Sequence, residues 1–97
     1  MTHEIESTAY VVYVLRSTVD RRLYVGMTNN FERRLHEHNA GMVRSTKSRR
    51  PLNVLYTDYV KTRAEARDRE KYLKSAAGRR FIKLRIDNSV AGTVCSE

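Results

Sequence analysis

From Ala9 to Arg16 the chain reads AYVVYVLR, apolar until its last residue. Successive side chains of a strand point to opposite faces, which puts Val11, Tyr13 and Leu15 on one side and Tyr10, Val12 and Val14 on the other. Apolar character on both faces predicts a strand buried on two sides, central in a sheet. Turn residues occupy Ser17 to Arg22, and Leu23 to Met27 predicts a second short strand, so the two form an antiparallel hairpin. Gly26 leaves a gap in the side-chain layer, where another group can approach the backbone closely.

Beyond the hairpin the period changes. Asn29 can cap a helix and Glu32, three residues on, completes a capping-box pair; the helix is predicted to run to about Ala40, where Gly41 supplies a left-handed stop. Pro51 closes the next loop, and Asn53 to Val60 (NVLYTDYV) predicts a third strand. Thr62 and Glu65 form a second capping box, opening a helix through about Ala77 that Gly78 ends. Phe81, Ile82 and Ile86 predict one further short helix. Residues 1–8 are expected to be a flexible N-terminus and 87–97 an unstructured polar tail, leaving one domain over 9–86. The order ββαβαα predicts a small α+β fold, a three-stranded antiparallel sheet flanked by helices.

Helical phase separates neighbours that composition would treat alike. With Phe31 at zero, Leu35 falls at about 40°, Arg34 at about 300° and His38 at about 340°, whereas Arg33, at about 200°, points to solvent. Arg34 therefore borders the core, where its guanidinium either reaches outward past a packed stem or meets an anion. His36 and His38, two residues apart, diverge by about 200° and do not chelate one metal together. On the second helix Ala66, Glu70, Leu73 and Ala77 form the inward stripe. The carboxylate in that stripe needs a cation, a set of donors or a metal, or a place at the open edge; Arg34 and Lys74 are its candidate ionic partners.

Composition narrows the functional classes. At 97 residues one modest core is expected, burying roughly 60–70% of the surface of the unfolded chain. No apolar run approaches the ~20 residues of a membrane span, and MTHEIEST lacks the apolar segment of a signal peptide, so a cytoplasmic location is expected. The lone Cys95 excludes a disulfide framework and a Cys-rich zinc site. The charge balance is more informative: 19 Lys and Arg against 11 Asp and Glu give +8, either a solvated basic surface or a binding one. Such a field attracts polyanions, nucleic acid first among them. In Met42 to Arg50 (MVRSTKSRR), Arg44, Lys47, Arg49 and Arg50 alternate with hydroxyl residues and no acid, an array suited to phosphate oxygens.

Taken in order, VVY, eleven residues from Tyr13 to Tyr24, then YVG, then ten residues to Arg34 in RRLHEH resemble the pattern of the GIY-YIG nucleases. The resemblance spans about Ala9 to Leu84 and is nearest to the small standalone bacterial branch, with its RRP loop and REKYLK helix. It is similar to the nuclease domains of the excision-repair incision subunit and of GIY-YIG homing endonucleases. The first triplet departs from Gly-Ile-Tyr but keeps the phenol, and the asparagine that many members carry after the metal glutamate has no close counterpart.

The resemblance implies a metal-dependent endonuclease that hydrolyses DNA phosphodiesters in repair or recombination, with Tyr13, Tyr24, Arg34, His38 and Glu70 as site residues and Gly26 as a structural one. It implies one Mg²⁺ or Mn²⁺ ion at Glu70, Arg34 donating to the scissile phosphate, and Tyr13 taking the proton of the attacking water if nearby positive charge lowers its pKa; His38 is the other candidate base. Nothing in the chain obviously reads base edges, so the expected partner is DNA, branched or flapped, recognised by shape or with low sequence preference, or supplied by a targeting protein. The alternative is a catalytically silent nucleic-acid-binding module on the same fold, which would bind DNA or RNA in a salt-dependent way with no cleavage.

Overall fold

The computed structural model of the chain describes residues 10–85. Strands β1 (Tyr10–Ser17), β2 (Leu23–Thr28) and β3 (Leu52–Val60) form one antiparallel sheet in the order β2-β1-β3. The both-faces-apolar strand is thus the central one, as its pattern predicts. Helix α1 (Phe31–Asn39) follows β2, a single 3₁₀ turn at Lys47–Arg49 precedes β3, and α2 (Arg63–Lys74) leads into α3 over residues 76–85. Ala9, Ile86 and the two predicted tails lie outside the described residues.

Alternation along β1 divides the core in two. Tyr13 and Leu15 pack with Leu52, Tyr24, Phe31 and Leu35 beneath α1. Val12 and Val14 pack with Ala66, Leu73 and Ile82 beneath α2 and α3. The β1–β3 register shifts between Val14 and Leu15, where Val14 pairs with Tyr56 and Leu15 with Val54, an irregularity that leaves both Leu55 and Tyr56 packed on the α2 side.

Three local readings need correction. Asn30, not Asn29, caps α1: its side chain accepts from Arg33 N–H at 3.1 Å, and Glu32 takes no part. The strand runs on through Thr28, whose hydroxyl accepts the Asn30 N–H at 3.0 Å and so fixes where the turn ends. Helix α2 stops at Lys74, capped by an extended Ser75, and Ala77 is exposed on α3. Gly78 ends nothing; it is buried where a Cβ would collide with the Tyr72 carbonyl and the Leu73 backbone. Only glycine lets α3 fold back that tightly on α2. The Thr62–Glu65 capping box forms as predicted, and Gly41 sits just past α1 at φ +82°.

Candidate functional site

Tyr13 and Gly26 face each other across the β1–β2 ladder. A Cβ on Gly26 would stand 2.6 Å from the Tyr13 hydroxyl, so the glycine is what lets the phenol lie over β2. The Tyr13 ring then meets Phe31 at 5.4 Å and Tyr24 at 6.3 Å between centroids. Tyr24 in turn sets its ring edge-on to His38 at 5.0 Å. The Tyr13 ring also meets the imidazole, at 5.7 Å, so two tyrosine rings flank His38.

His38 is fully buried, on the face of α1 shared with Phe31 and Leu35. Its Nε2 lies 3.0 Å from the Tyr13 hydroxyl and its Nδ1 2.8 Å from Thr46 Oγ1. The protons can be assigned from the partners. Arg34, which only donates, acts on the phenol as a hydrogen-bonding, positively charged neighbour, and on that basis the phenol hydrogen is assigned to Nε2. Nδ1–H then donates to Thr46, whose own hydroxyl turns to the Val43 carbonyl at 3.5 Å. A hydrogen-bonded chain runs from Tyr13 through His38 to Thr46, all three buried.

Burial governs the ionisation of this chain. It pushes the Tyr13 phenol up to about 12, and hydrogen bonding to Arg34 pulls the other way without prevailing. The sequence-based expectation that positive charge would lower this pKa is therefore corrected: desolvation of a ring with 1% exposure is the larger effect. Burial also holds His38 below its ordinary 6.5, helped by the Arg34 charge, so the imidazole is neutral near pH 7.

Arg34 and Arg33 differ as the helical phase requires. Arg34 is half-exposed and ion-pairs with Glu37 at 3.0 Å, while Arg33 is 65% exposed and reaches the same carboxylate only at 3.8 Å. Glu70 occupies the open edge of the α2 stripe, 22% exposed, and pairs with Lys74 at 3.2 Å rather than with Arg34. Both Arg34 and Glu70 line one open cleft of about 780 Å³ beside the ends of β1 and β2, between α1 and α2. Arg33, Arg63, Arg67 and Lys71 also line it, with Glu37 as the second carboxylate, so its field is positive. Tyr13 and His38 lie behind Arg34 and do not line the cleft.

The donor set at Glu70 is sparse. Among the described residues no three His, Cys, Asp or Glu side chains gather as a metal group. Glu70, with Glu37 held by Arg34, leaves one carboxylate at the edge of the cleft for a cation, which fits a hard ion that keeps most of its waters, such as Mg²⁺, and does not fit a structural zinc.

The model of the GIY-YIG catalytic domain matches residues 9–83. A UPF0213 protein of Clostridium perfringens is 34% identical over 80 residues, covering 81% of this chain and 85% of the relative. One of Bacillus licheniformis is 40% identical over 70 residues, 71% of each chain, and one of Staphylococcus haemolyticus 34% identical over 76 residues, 77% of this chain and 92% of the relative. The chain belongs to the GIY-YIG nuclease family. No solved structure matches it.

Within the GIY-YIG frame, the two signature triplets stand side by side on β1 and β2, and α1 carries Arg34 and His38 over them. The basic loop lies elsewhere. Arg44 and Lys47 are exposed, Arg49 pairs with Asp20 at 3.5 Å, and Arg50 donates to the Lys47 carbonyl while its guanidinium covers Gly41. None of the four lines the cleft. The loop's contribution to the site is Thr46, which sequence reading passed over because only the folded loop brings it to His38. The cationic character of the second helix was legible in the sequence, and the spacing of four between Arg63, Arg67 and Lys71 puts these three on one side of α2, along the cleft. Among the described residues no helix is long and apolar enough to cross a membrane.

Proposed function

We propose that the protein is a divalent-metal-dependent endonuclease that hydrolyses DNA phosphodiester bonds, with the scissile phosphate between Arg34 and Glu70. The observation that carries this reading is the buried Tyr13–His38–Thr46 chain, placed directly behind the arginine of a cationic cleft. A role in packing alone gives no reason to bury these groups. Apolar side chains of similar size would fill the space with no hydrogen bonds to satisfy.

Each group has a task that its surroundings suit. Arg34 exchanges Glu37 for the phosphate and neutralises charge as it builds on the non-bridging oxygens. That exchange opens the way from the cleft to the Tyr13 hydroxyl. Tyr13 alone is a poor base at about 12, and His38 is too deeply buried to meet water. In series they succeed: the proton of the attacking water passes to the Tyr13 oxygen as the phenol proton passes to His38 Nε2. The phenol never carries a full charge, and Thr46 holds the imidazole in the accepting tautomer. Tyr24 keeps the imidazole oriented through its edge contact. Glu70 would hold Mg²⁺ or Mn²⁺, which when bound supplies charge neutralisation at the phosphate. The clustered cations suit phosphate oxygens and none of the described residues is placed to read base edges, so recognition is by DNA shape, with low sequence preference, or through a targeting partner, in repair or recombination.

Purified protein incubated with plasmid, flapped and branched DNA in Mg²⁺, Mn²⁺ or EDTA tests this. Cleavage is expected only with metal, and Glu70→Gln and Arg34→Ala should each lower it by at least ~100-fold. Metal-dependent cleavage that survives both substitutions sinks the assignment. DNA binding without cleavage in either metal supports the silent module instead.

A further inference from the structure

The cleft lies at the Thr28 end of β2, but positive charge continues along this edge strand to its Leu23 end. There Arg21 and Arg22 from the β1–β2 turn, Arg49 from the loop and Arg79 from α3 surround a recess of about 560 Å³. A groove of about 320 Å³, lined by Tyr24, Lys74 and Arg79, occupies the stretch between. Groove and recess share Leu23 and Arg79, and Lys74 of the groove pairs with Glu70 of the cleft. Among the described residues no carboxylate lines the recess. Asp20 beside it is engaged by Arg49 and by the Arg22 N–H at 2.9 Å.

The turn itself points the same way. Arg21 has φ +62°, a conformation that glycine adopts freely and a side-chain-bearing residue only at a cost. The tight turn that imposes it is held by Ser17, whose hydroxyl accepts the Val19 and Asp20 N–H groups and donates to the Arg49 carbonyl. Those bonds fix two arginines of the turn beside a third from the loop. A protein partner would need an apolar anchor at the centre of its interface, and the recess offers only the partly exposed Leu23. A phosphodiester backbone needs no such anchor.

We propose that this recess is a second phosphate station, in which Arg21, Arg22 and Arg79 grip the backbone of the same DNA duplex whose scissile phosphate occupies the cleft. The six residues of β2 separate the two stations by roughly 20 Å, the rise of about six base pairs at 3.4 Å each. The inference rests on the nuclease reading of the cleft. It adds that the protein holds its substrate on one side of the cut, along the β2 edge.

The test is fluorescence anisotropy with a labelled 30-base-pair duplex in EDTA over a salt series, beside the plasmid cleavage assay in Mg²⁺. Arg21→Gly, Arg22→Ala and Arg79→Ala should each weaken binding by about three- to tenfold and reduce the slope of log affinity against log salt by about one. Lys61→Ala removes the same charge at the opposite, β3 side of the sheet and should leave both within about twofold of wild type. Arg21→Gly keeps a backbone conformation natural to glycine, so its loss of affinity would not reflect misfolding. If the three arginine variants behave like Lys61→Ala while the wild type cleaves plasmid with metal, the second station is wrong and the nuclease reading stands. If the wild type neither binds the duplex nor cleaves, both fall together.

Discussion

The two faces of the sheet take alternate residues of the same central strand and put them to opposite uses. Beneath α2 and α3, Val12 and Val14 meet Ala66, Leu73 and Ile82 in an apolar layer. Beneath α1, Tyr13 and Leu15 share their layer with His38 and Thr46, both fully buried and both hydrogen-bonded. Water excluded from the first face contributes stability through apolar area alone. On the second face the same exclusion raises one pKa and lowers another, leaving a proton donor against a neutral acceptor. The lesson is that a strand period of two lets one element carry an apolar layer on one side and a hydrogen-bonded, titratable layer on the other. A slip of one residue would exchange the roles.

That contrast can be broken from either side. The largest expected effect on stability is at the apolar face, where Leu73→Ala removes a side chain with 0% exposure and should cost about 2–5 kcal/mol. Urea denaturation followed by circular dichroism measures it. Cleavage per folded molecule should remain close to wild type, because Leu73 touches none of the reacting groups.

On the other face His38→Ala should cost less, about 1–3 kcal/mol, since it leaves the Tyr13 and Thr46 hydroxyls buried without their shared partner. It should also alter the pH dependence of stability. His38 is held below 6.5 in the fold, so its contribution is present above the unfolded pKa and is lost as pH falls below about 6.5 through the folded value. Wild-type stability should therefore decline between pH 7 and 5 by an amount that the variant does not share. Parallel curves for the two proteins would show that His38 does not resist protonation.

Much of this division was legible before the structure. The alternation of AYVVYVLR marks both faces of β1, and helical phase distinguishes Arg34, bordering the core, from Arg33, 65% exposed. It also brings Glu70 to the margin of a buried stripe. What escaped the sequence depends on long-range closure. Thr46 reaches His38 only because the loop after Gly41 folds back, and no periodicity governs a loop. The rise in the Tyr13 pKa follows from complete burial, which motif spacing does not reveal. By sequence Gly78 resembles a helix stop, but Ser75 breaks α2 three residues earlier and Gly78 serves close packing. Asn29 and Asn30 are equally good caps by composition, and only the length of β2 chooses between them.

The most direct test of the claim that the α1 face serves chemistry is the cleavage rate of Tyr13→Phe on supercoiled plasmid in Mg²⁺, measured beside wild type at equal folded concentration. The substitution keeps the ring against Tyr24 and Phe31 and removes only the hydroxyl between Arg34 and His38. A fall of at least ~100-fold is expected, the size of effect that a positioned proton-transfer group supplies. A rate within about threefold of wild type would contradict the claim and return Tyr13 to the core as packing alone.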